Sequence, residues 1–219
     1  MDDFFPRVIT TLFGVGIKDT VISTWAMMVI VLIVAALLWR KRPAALDLLL
    51  DFLTDAVSMV MGRPAEPFMA LLGSLAVFVG ISNSIGVVPG LQSPTRDINT
   101  PTALALVVFM SVHYYGVRSR GLLGYLRGLA DPLMMLPLEL IGQVSRTLAL
   151  ALRLFGNVLS TEMIVAVIFS LLPLIVPLPL MAMSLLTGLL QAYIFTVLAA
   201  VYVGAAVTAA EPTPKRRSK

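Results

Sequence analysis

Cysteine, histidine and charged residues are scarce in this chain, and each scarcity argues against a class of protein. The chain has no cysteine, which excludes disulfides, iron–sulfur clusters and thiolate zinc sites. Its single histidine, His113, argues against a histidine-rich metal centre, so we expect neither a metal nor a cofactor. Charged residues make up 13% and hydrophobic residues 58%, against about 25% and about 45–50% in soluble domains. A chain of 219 residues cannot bury so much apolar surface in water, so the sequence predicts a multi-pass membrane protein.

Charge-free runs predict five membrane-spanning helices. Residues 20–39 form a run of 20 uncharged residues, which is long enough to cross a bilayer as a helix. Asp131 and Pro132 are residue types typical of a helix N-cap and first helical position. The predicted fold is one all-α polytopic membrane domain over 1–219, with five transmembrane helices and one amphipathic surface helix. Its segments are spans at about 20–39, 68–88 and 100–117, the surface helix at 44–61, a long tilted hairpin of 132–170 and 174–209, and a cytoplasmic basic tail at 211–219.

The predicted surface helix carries an acidic stripe. Asp47, Asp51 and Asp55 recur every fourth residue within an otherwise apolar segment, so they share one helix face. Three carboxylates in eight residues are too costly for the hydrocarbon core, and we therefore expect this helix on the cytoplasmic surface. The stripe is either a solvated face, which we favour, or a docking site for a basic partner.

The distribution of basic residues predicts the orientation. With five spans, most of the 16 basic residues fall on one side of the membrane, and only Arg7, Lys18 and Arg96 fall on the other. Because cytoplasmic loops carry an excess of Lys and Arg, we expect the N-terminus outside and the C-terminus in the cytoplasm. The net charge of +4 is therefore a feature of membrane topology, and no nucleic-acid partner is expected.

Polar residues in the predicted hairpin lie on two opposite helix faces. A seven-residue spacing places four of them on one face, and Glu162, nine residues beyond Arg153, on the opposite face. An Arg near the membrane midplane costs at least about 2.5–3.5 kcal/mol to insert, so a function or a partner is expected for Arg153. The residues spaced by seven are Glu139, Arg146, Arg153 and Ser160, with Asn157 on the same side.

The hairpin geometry also relates the two helices to each other. Arg153 and Gln191 are each 19 residues from Leu172, so antiparallel helices would place them at the same depth. One interpretation is that Arg153 is satisfied inside the bundle by Gln191 and backbone carbonyls. Arg146 lies closer to the cytoplasmic interface, which its side chain could reach. Glu162, Ser184 and Gln191 could line a hydrated path, although Ser184 alone is equally typical of helix packing.

Three segments of the sequence resemble subunit a of F-type ATP synthases. The resemblance covers about residues 45–205, and the arginine motif is its most specific part. The segments are Pro137-Leu138-Glu139-Leu140-Ile141 with Ser145-Arg146-Thr147-Leu148-Ala149-Leu150-Ala151-Leu152-Arg153-Leu154-Phe155-Gly156-Asn157, then Gln191-Ala192-Tyr193-Ile194-Phe195-Thr196-Val197-Leu198, and Pro94-Thr95-Arg96-Asp97-Ile98-Asn99.

The resemblance implies a non-catalytic stator beside a rotating c-ring in a bacterial-type cell inner membrane. Two offset half-channels would carry H⁺, or alternatively Na⁺, to and from the ring carboxylates. Expected partners are the c-ring subunits, peripheral-stalk subunit b, the rest of the F1Fo complex and the lipid bilayer. Ser184 departs from the family, since some members have a titratable His or Glu there. The implied residues are Arg153 between the half-channels, Glu162 in the outer one, Glu139 at the inner mouth, and Asn157 and Gln191 as polar neighbours of Arg153. Ser184 is a further candidate on the ion path, and the secondary candidates are Arg146, Asp97, Asn99 and Tyr202.

Three other interpretations compete with this one. A secondary transporter often contains internal repeats, and no convincing repeat is found in this sequence. An intramembrane hydrolase requires a nucleophile and a base, yet His113 lies far from the polar hairpin. A passive assembly scaffold does not explain an arginine at the membrane midplane.

Overall fold

The computed structural model describes residues 8–12, 15–18, 44–86, 93–129, 136–171 and 177–208, together with scattered helical positions between 21 and 36. Near the start of the chain, strands β1 (Val8–Leu12) and β2 (Val15–Lys18) pair antiparallel, with Leu12 opposite Val15. The predicted all-α fold did not include this short hairpin, which lies before the helices. Its β-branched residues favour extended pairing.

The rest of the described fold is helical. Four helices are long and apolar enough, by length and composition, to cross a membrane: Glu66–Ile85, Asn99–Ser119, Pro137–Leu171 and Leu178–Thr208. The span predicted at 20–39 lies mostly outside the described residues, as do the helix start predicted at Asp131 and the tail at 211–219, so the count of five spans stays a prediction. The helices are α1 (Ala44–Met61), α2 (Glu66–Ile85), α3 (Asn99–Leu129), α4 (Leu136–Leu171) and α5 (Pro177–Thr208), and the short 3₁₀ turn Pro94–Arg96 precedes α3.

Two glycines with positive φ interrupt the helical path. Gly62 follows the last residue of α1 with φ 63°, a conformation that suits glycine at a helix C-terminus. Gly121 has φ 73° and ψ 161° inside α3, so the helix breaks there and its last part turns. The ring of Tyr125 then packs so closely on Gly116 that a Cβ atom at Gly116 would overlap it. The third span was predicted to end at 117, whereas the helical segment continues past this break.

Helices α2 and α5 form the centre of the bundle. Leu72 and Val79 of α2 and Phe195 and Val203 of α5 are fully buried in one core. Small residues allow the two backbones to approach closely, as helix pairs in membranes commonly require. A Cβ atom on Gly188 of α5, for example, would lie 3.0 Å from the Cβ of an α2 side chain.

Helix α1 packs on this centre along one stripe. Leu53, Val57 and Met61 are buried at four-residue spacing, and the ring of Phe52 lies 5.9 Å from that of Tyr193 on α5. The acidic stripe faces away from this contact, and Asp47, Asp51 and Asp55 are all exposed. The contact face and the acidic face are therefore opposite sides of one helix.

Candidate functional site

Helix α4 turns one face towards the bundle and leaves the other open. Its buried residues lie on the side that meets α3 and α5, and Glu162 continues that side one turn after Val158. Arg146, Arg153 and Ser160 are exposed on the other side. The two sets of polar residues therefore have different surroundings. The buried residues are Gln143, Leu150, Ala151, Leu154 and Val158.

Arg153 lies on the open face of α4 among exposed leucines. It makes no hydrogen bond or ion pair with any residue that the structure describes. Gln191 is buried inside the bundle, and its Nε2 atom has no partner among the same residues. The interpretation in which Gln191 satisfies Arg153 within the bundle therefore does not hold in this structure. The guanidinium of Arg153 lies on a face of α4 where the neighbouring Leu148 and Leu152 are also exposed.

A small polar cavity of about 20 Å³ lies between helices α2, α4 and α5. This volume is enough for about one water molecule. Glu162 is the one ionisable side chain among the described residues that line it, and the other polar groups are hydroxyls and amides. The cavity brings together three of the predicted site residues. Its lining consists of Asn83, Gly86, Asn157, Val158, Thr161, Glu162, Ser184, Thr187 and Gly188.

A buried loop closes one side of this cavity and supplies a cation. The Nε atom of Arg96 lies 3.3 Å from Oε2 of Glu162, and the side chains are 9% and 22% exposed. Sequence reasoning missed this pair and counted Arg96 only as an outer-loop charge. A signal was present, because Arg96 and Asp97 are the only charged residues between Glu66 and Arg118.

The residues flanking Arg96 are held by their own hydrogen bonds. The Ser93 hydroxyl donates to the Ser82 carbonyl over 2.8 Å, and the Thr95 hydroxyl donates to Asn83 Oδ1 over 2.8 Å. Buried Asp97 accepts a bond from the backbone N–H of Asn99, the first residue of α3, over 3.1 Å. Asp97 and Asn99, both secondary candidates, thus begin a helix, while neither is among the cavity-lining residues.

A second polar cluster lies at the opposite end of α4. Arg146 is 3.7 Å from Glu139, and its guanidinium lies 6.0 Å from the centre of the Tyr202 ring on α5. Gln143 donates from Nε2 to Glu139 over 3.3 Å. Burial raises the pKa of Tyr125 beyond the break in α3, and the nearby Glu139 charge raises it further. Arg146, expected to extend alone to the interface, is instead a member of this cluster.

Comparison with known proteins identifies the relationship of the chain. Residues 21–204 match the family model of the ATP synthase A chain. The chain belongs to this family. It is 45% identical to ATP synthase subunit a 2 of Bradyrhizobium sp. strain BTAi1, over 92% of this chain and 96% of that protein. It is 41% identical to subunit a 2 of Picosynechococcus sp., over 90% and 89%. Subunit a of Albidiferax ferrireducens is 36% identical, over 93% and 92%.

Membership of the ATP synthase A chain family confirms the resemblance found in the sequence. The chain is a non-catalytic membrane subunit of an ATP synthase, and its apolar helices make it a multi-pass membrane protein. The hydrolase and secondary-transporter interpretations are wrong for a member of this family. The partners of this chain are accordingly the other subunits of the ATP synthase complex.

Proposed function

We propose that this chain is the stator ion-channel subunit that carries H⁺ to and from the c-ring through two offset half-channels. Its five spans leave the N-terminus outside and the C-terminus in the cytoplasm, beside peripheral-stalk subunit b. The observation that carries the proposal is the contrast on α4 between exposed Arg153 and Glu162 in an internal polar cavity. A protein that only supported assembly would require neither.

Arg153 is the barrier between the half-channels. Guanidinium stays protonated at any working pH, so the charge cannot be lost when a ring subunit passes. It attracts the mid-membrane carboxylate of that subunit and favours its ionised form. A proton therefore cannot stay on the carboxylate beside Arg153, and the direct route between the two channels is blocked. The exposed, unpaired state of Arg153 among the described residues supports this role.

Glu162 marks the outer half-channel. It lies nine residues from Arg153, which is about 14 Å along the helix and half a turn around it. The cavity beside it offers hydroxyl and amide groups from Asn157, Ser184 and Thr187, which can hold water without binding a proton themselves. Gln191 lies two turns beyond Ser184 on α5 and continues the path towards the depth of Arg153.

Glu139 marks the inner half-channel. The carboxylate lies two turns before Arg146 on α4 and is half-exposed, so ions could reach it from the cytoplasm. Arg146 and Tyr202 hold it in place rather than carry the ion. Selection between H⁺ and Na⁺ lies with the ring's own ligands. Each charge crossing the membrane gains about 2.3 kcal/mol per 100 mV, so several must be combined to drive one ATP.

The decisive experiment replaces Arg153 in the assembled complex. Arg153→Ala should abolish ATP synthesis in membrane vesicles and open a passive leak, because ring carboxylates could then exchange ions between the channels without rotation. Arg153→Lys should also fail, because an ammonium lacks the planar fork and can deprotonate when desolvated. ATP synthesis and passive ion flux are measured after copurification with the ring confirms assembly.

Arg146→Ala is the matched control, since Arg146 is an exposed arginine seven residues away on the same face. It should lower activity far less than Arg153→Ala does, because Arg146 only holds Glu139 in place and does not separate the half-channels. Near-normal synthesis by an assembled Arg153→Ala complex would overturn the proposed function.

A further inference from the structure

The ion pair between Arg96 and Glu162 has a role that a surface ion pair could not have. Both partners are largely removed from solvent, and Arg96 comes from a loop 66 residues away in the sequence. A buried cation favours the ionised form of a neighbouring carboxylate far more than a solvent-exposed cation does. The charge of Glu162 is therefore set by the loop as well as by its own helix.

The loop is built to hold this position. Ser93, Thr95 and Asp97 are all buried, and the Ser93 and Thr95 hydroxyl oxygens lie 2.7 Å apart. Their bonds to the end of α2 fix the backbone on both sides of Pro94. Arg96 therefore projects from a turn whose neighbouring residues are held by hydrogen bonds, which lowers the entropic cost of placing its side chain beside Glu162.

The Glu162 carboxylate is also closely approached by the backbone on its other side. A Cβ atom at Gly86 would lie 3.3 Å from Oε1 of Glu162 and 3.2 Å from the Cβ of Ser93. The absence of a side chain at Gly86 allows the loop and the carboxylate to approach this closely. Arg96 on Oε2 and the turn at Gly86 on Oε1 leave the cavity as the open direction for Glu162.

We propose that Arg96 is a positioning residue of the outer half-channel, which holds the Glu162 carboxylate beside the cavity, favours its ionised form and thereby sets the outside pH at which ions enter. This inference rests on the proposed function, because it requires Glu162 to lie on the ion path. Arg96 itself does not carry the ion.

The surroundings of Glu162 make Arg96 the group to change. From the loop, Arg96 and Asp97 are the charged residues. Helix α2 contributes Asn83 and Gly86 to the cavity, and α5 contributes Ser184 and Thr187, none of which titrates. Arg96 is the charged side chain that pairs with Glu162, so its removal changes the charge that faces Glu162 without altering Glu162 itself.

The test measures ATP synthesis by the reconstituted holoenzyme as a function of outer-side pH. The complex is oriented with its ATP-forming head outside the vesicle, so that the outer half-channel opens to the lumen. Luminal pH is varied while the membrane potential is adjusted to keep the total proton-motive force constant. The proton is the probe, and the readout is the luminal pH at which the rate is half-maximal.

Arg96→Gln should move this midpoint by about 1–3 pH units to the alkaline side, which is the usual effect of one nearby charge. Without the cation, the carboxylate takes up a proton from a less acidic lumen, so the acid limb of the profile moves to higher pH. Arg96→Lys keeps a charge and should move the midpoint less. A merely structural role for Arg96 would lower the rate by the same factor at every pH and leave the midpoint in place.

Two further variants separate the possible failures. Arg118→Gln removes an exposed arginine that bonds the Tyr114 hydroxyl over 3.0 Å, and it should leave the profile unchanged. If the Glu162→Gln complex synthesises ATP at the wild-type rate, the proposed function itself is contradicted. If Glu162→Gln is slow but Arg96→Gln keeps the wild-type midpoint, only the inference about Arg96 is overturned.

Assembly provides the remaining measurement if Arg96→Gln does not yield a complex. An unpaired buried carboxylate is then the expected defect, because removal of one partner of a buried ion pair is strongly destabilising whereas neutral replacement of both is not. The double variant Arg96→Gln with Glu162→Gln should restore copurification with the ring. A double variant that still fails to assemble would overturn the proposal.

Discussion

Helices α4 and α5 are neighbours in the sequence and in the predicted hairpin, but they have opposite relations to the rest of the fold. In the most apolar 18-residue stretch of α4, 11% of the residues are buried, whereas the corresponding share in α5 is 50%. Helix α5 contributes Phe195 and Val203 to the core, while α4 leaves Arg153 and several leucines exposed. One helix anchors the bundle, and the other forms its edge.

The comparison shows where the charges of a membrane protein can be used. Helix α5 has no charged residue between Pro177 and Thr208, so it can be surrounded by the other helices without a desolvation cost for charge. Helix α4 has Glu139, Arg146, Arg153 and Glu162, and a helix at the edge can direct some of these towards other chains. In the proposed function, this open face of α4 is the surface that meets the ring.

The strongest test of this contrast between α4 and α5 is a change at Glu162, because Glu162 is the one charged residue of α4 that lies on the inward side near the cavity. Glu162→Gln keeps the shape but removes the proton-accepting carboxylate, so coupled ion transport should slow by about a hundredfold or more, the usual effect of losing an acid–base group. Assembly is first checked by copurification with the ring, because this variant also removes one partner of the buried ion pair with Arg96. Transport is measured as ATP-driven acidification of vesicles, with Thr161→Val as a control that changes the cavity wall without changing its charge. Unchanged transport in an assembled Glu162→Gln complex would count against an outer half-channel here.

Helical periodicity explains how much of this site could be predicted. The seven-residue spacing from Arg146 to Ser160 and the half-turn from Arg153 to Glu162 are local properties of one helix, and the structure has these residues on the corresponding faces. The pairing of Arg96 with Glu162 depends on how the 93–97 loop packs against α4, which no periodicity encodes. The break at Gly121 was missed for a related reason, since glycine permits both helical and non-helical φ.

The small residues of the two helices allow a second, weaker test. A Cβ atom added to Gly188 of α5 would lie 3.0 Å from the Cβ of Asn83, whereas a Cβ atom added to Gly156 of α4 would have nothing within 4 Å. Gly188→Ala should therefore destabilise the chain by about 1–3 kcal/mol through overpacking. Gly156→Ala should be tolerated by the chain alone. Thermal unfolding of the detergent-solubilised subunit gives both values.

The same pair of variants also reports on the open face of α4. If another subunit packs against Gly156, its alanine variant should lose activity only in the assembled complex, while the isolated subunit keeps its stability. Equal destabilisation of the isolated subunit by Gly156→Ala and Gly188→Ala would show that both helices are equally enclosed, and the comparison would fail.

The smallest effect is expected at the acidic stripe of α1, which extends the comparison to a third helix. Asp47, Asp51 and Asp55 are exposed opposite the face that packs on α5, so their charges stabilise nothing within the described fold. Exposed charges typically contribute less than about 1 kcal/mol, and a triple Asn variant should keep the complex intact with near-normal ATP synthesis. Copurification of the peripheral-stalk subunit is the measurement, with Thr54→Ala on the same helix as the control. A missing stalk in the triple variant would contradict the solvated-face interpretation, because only a basic partner bound along the stripe would need all three carboxylates.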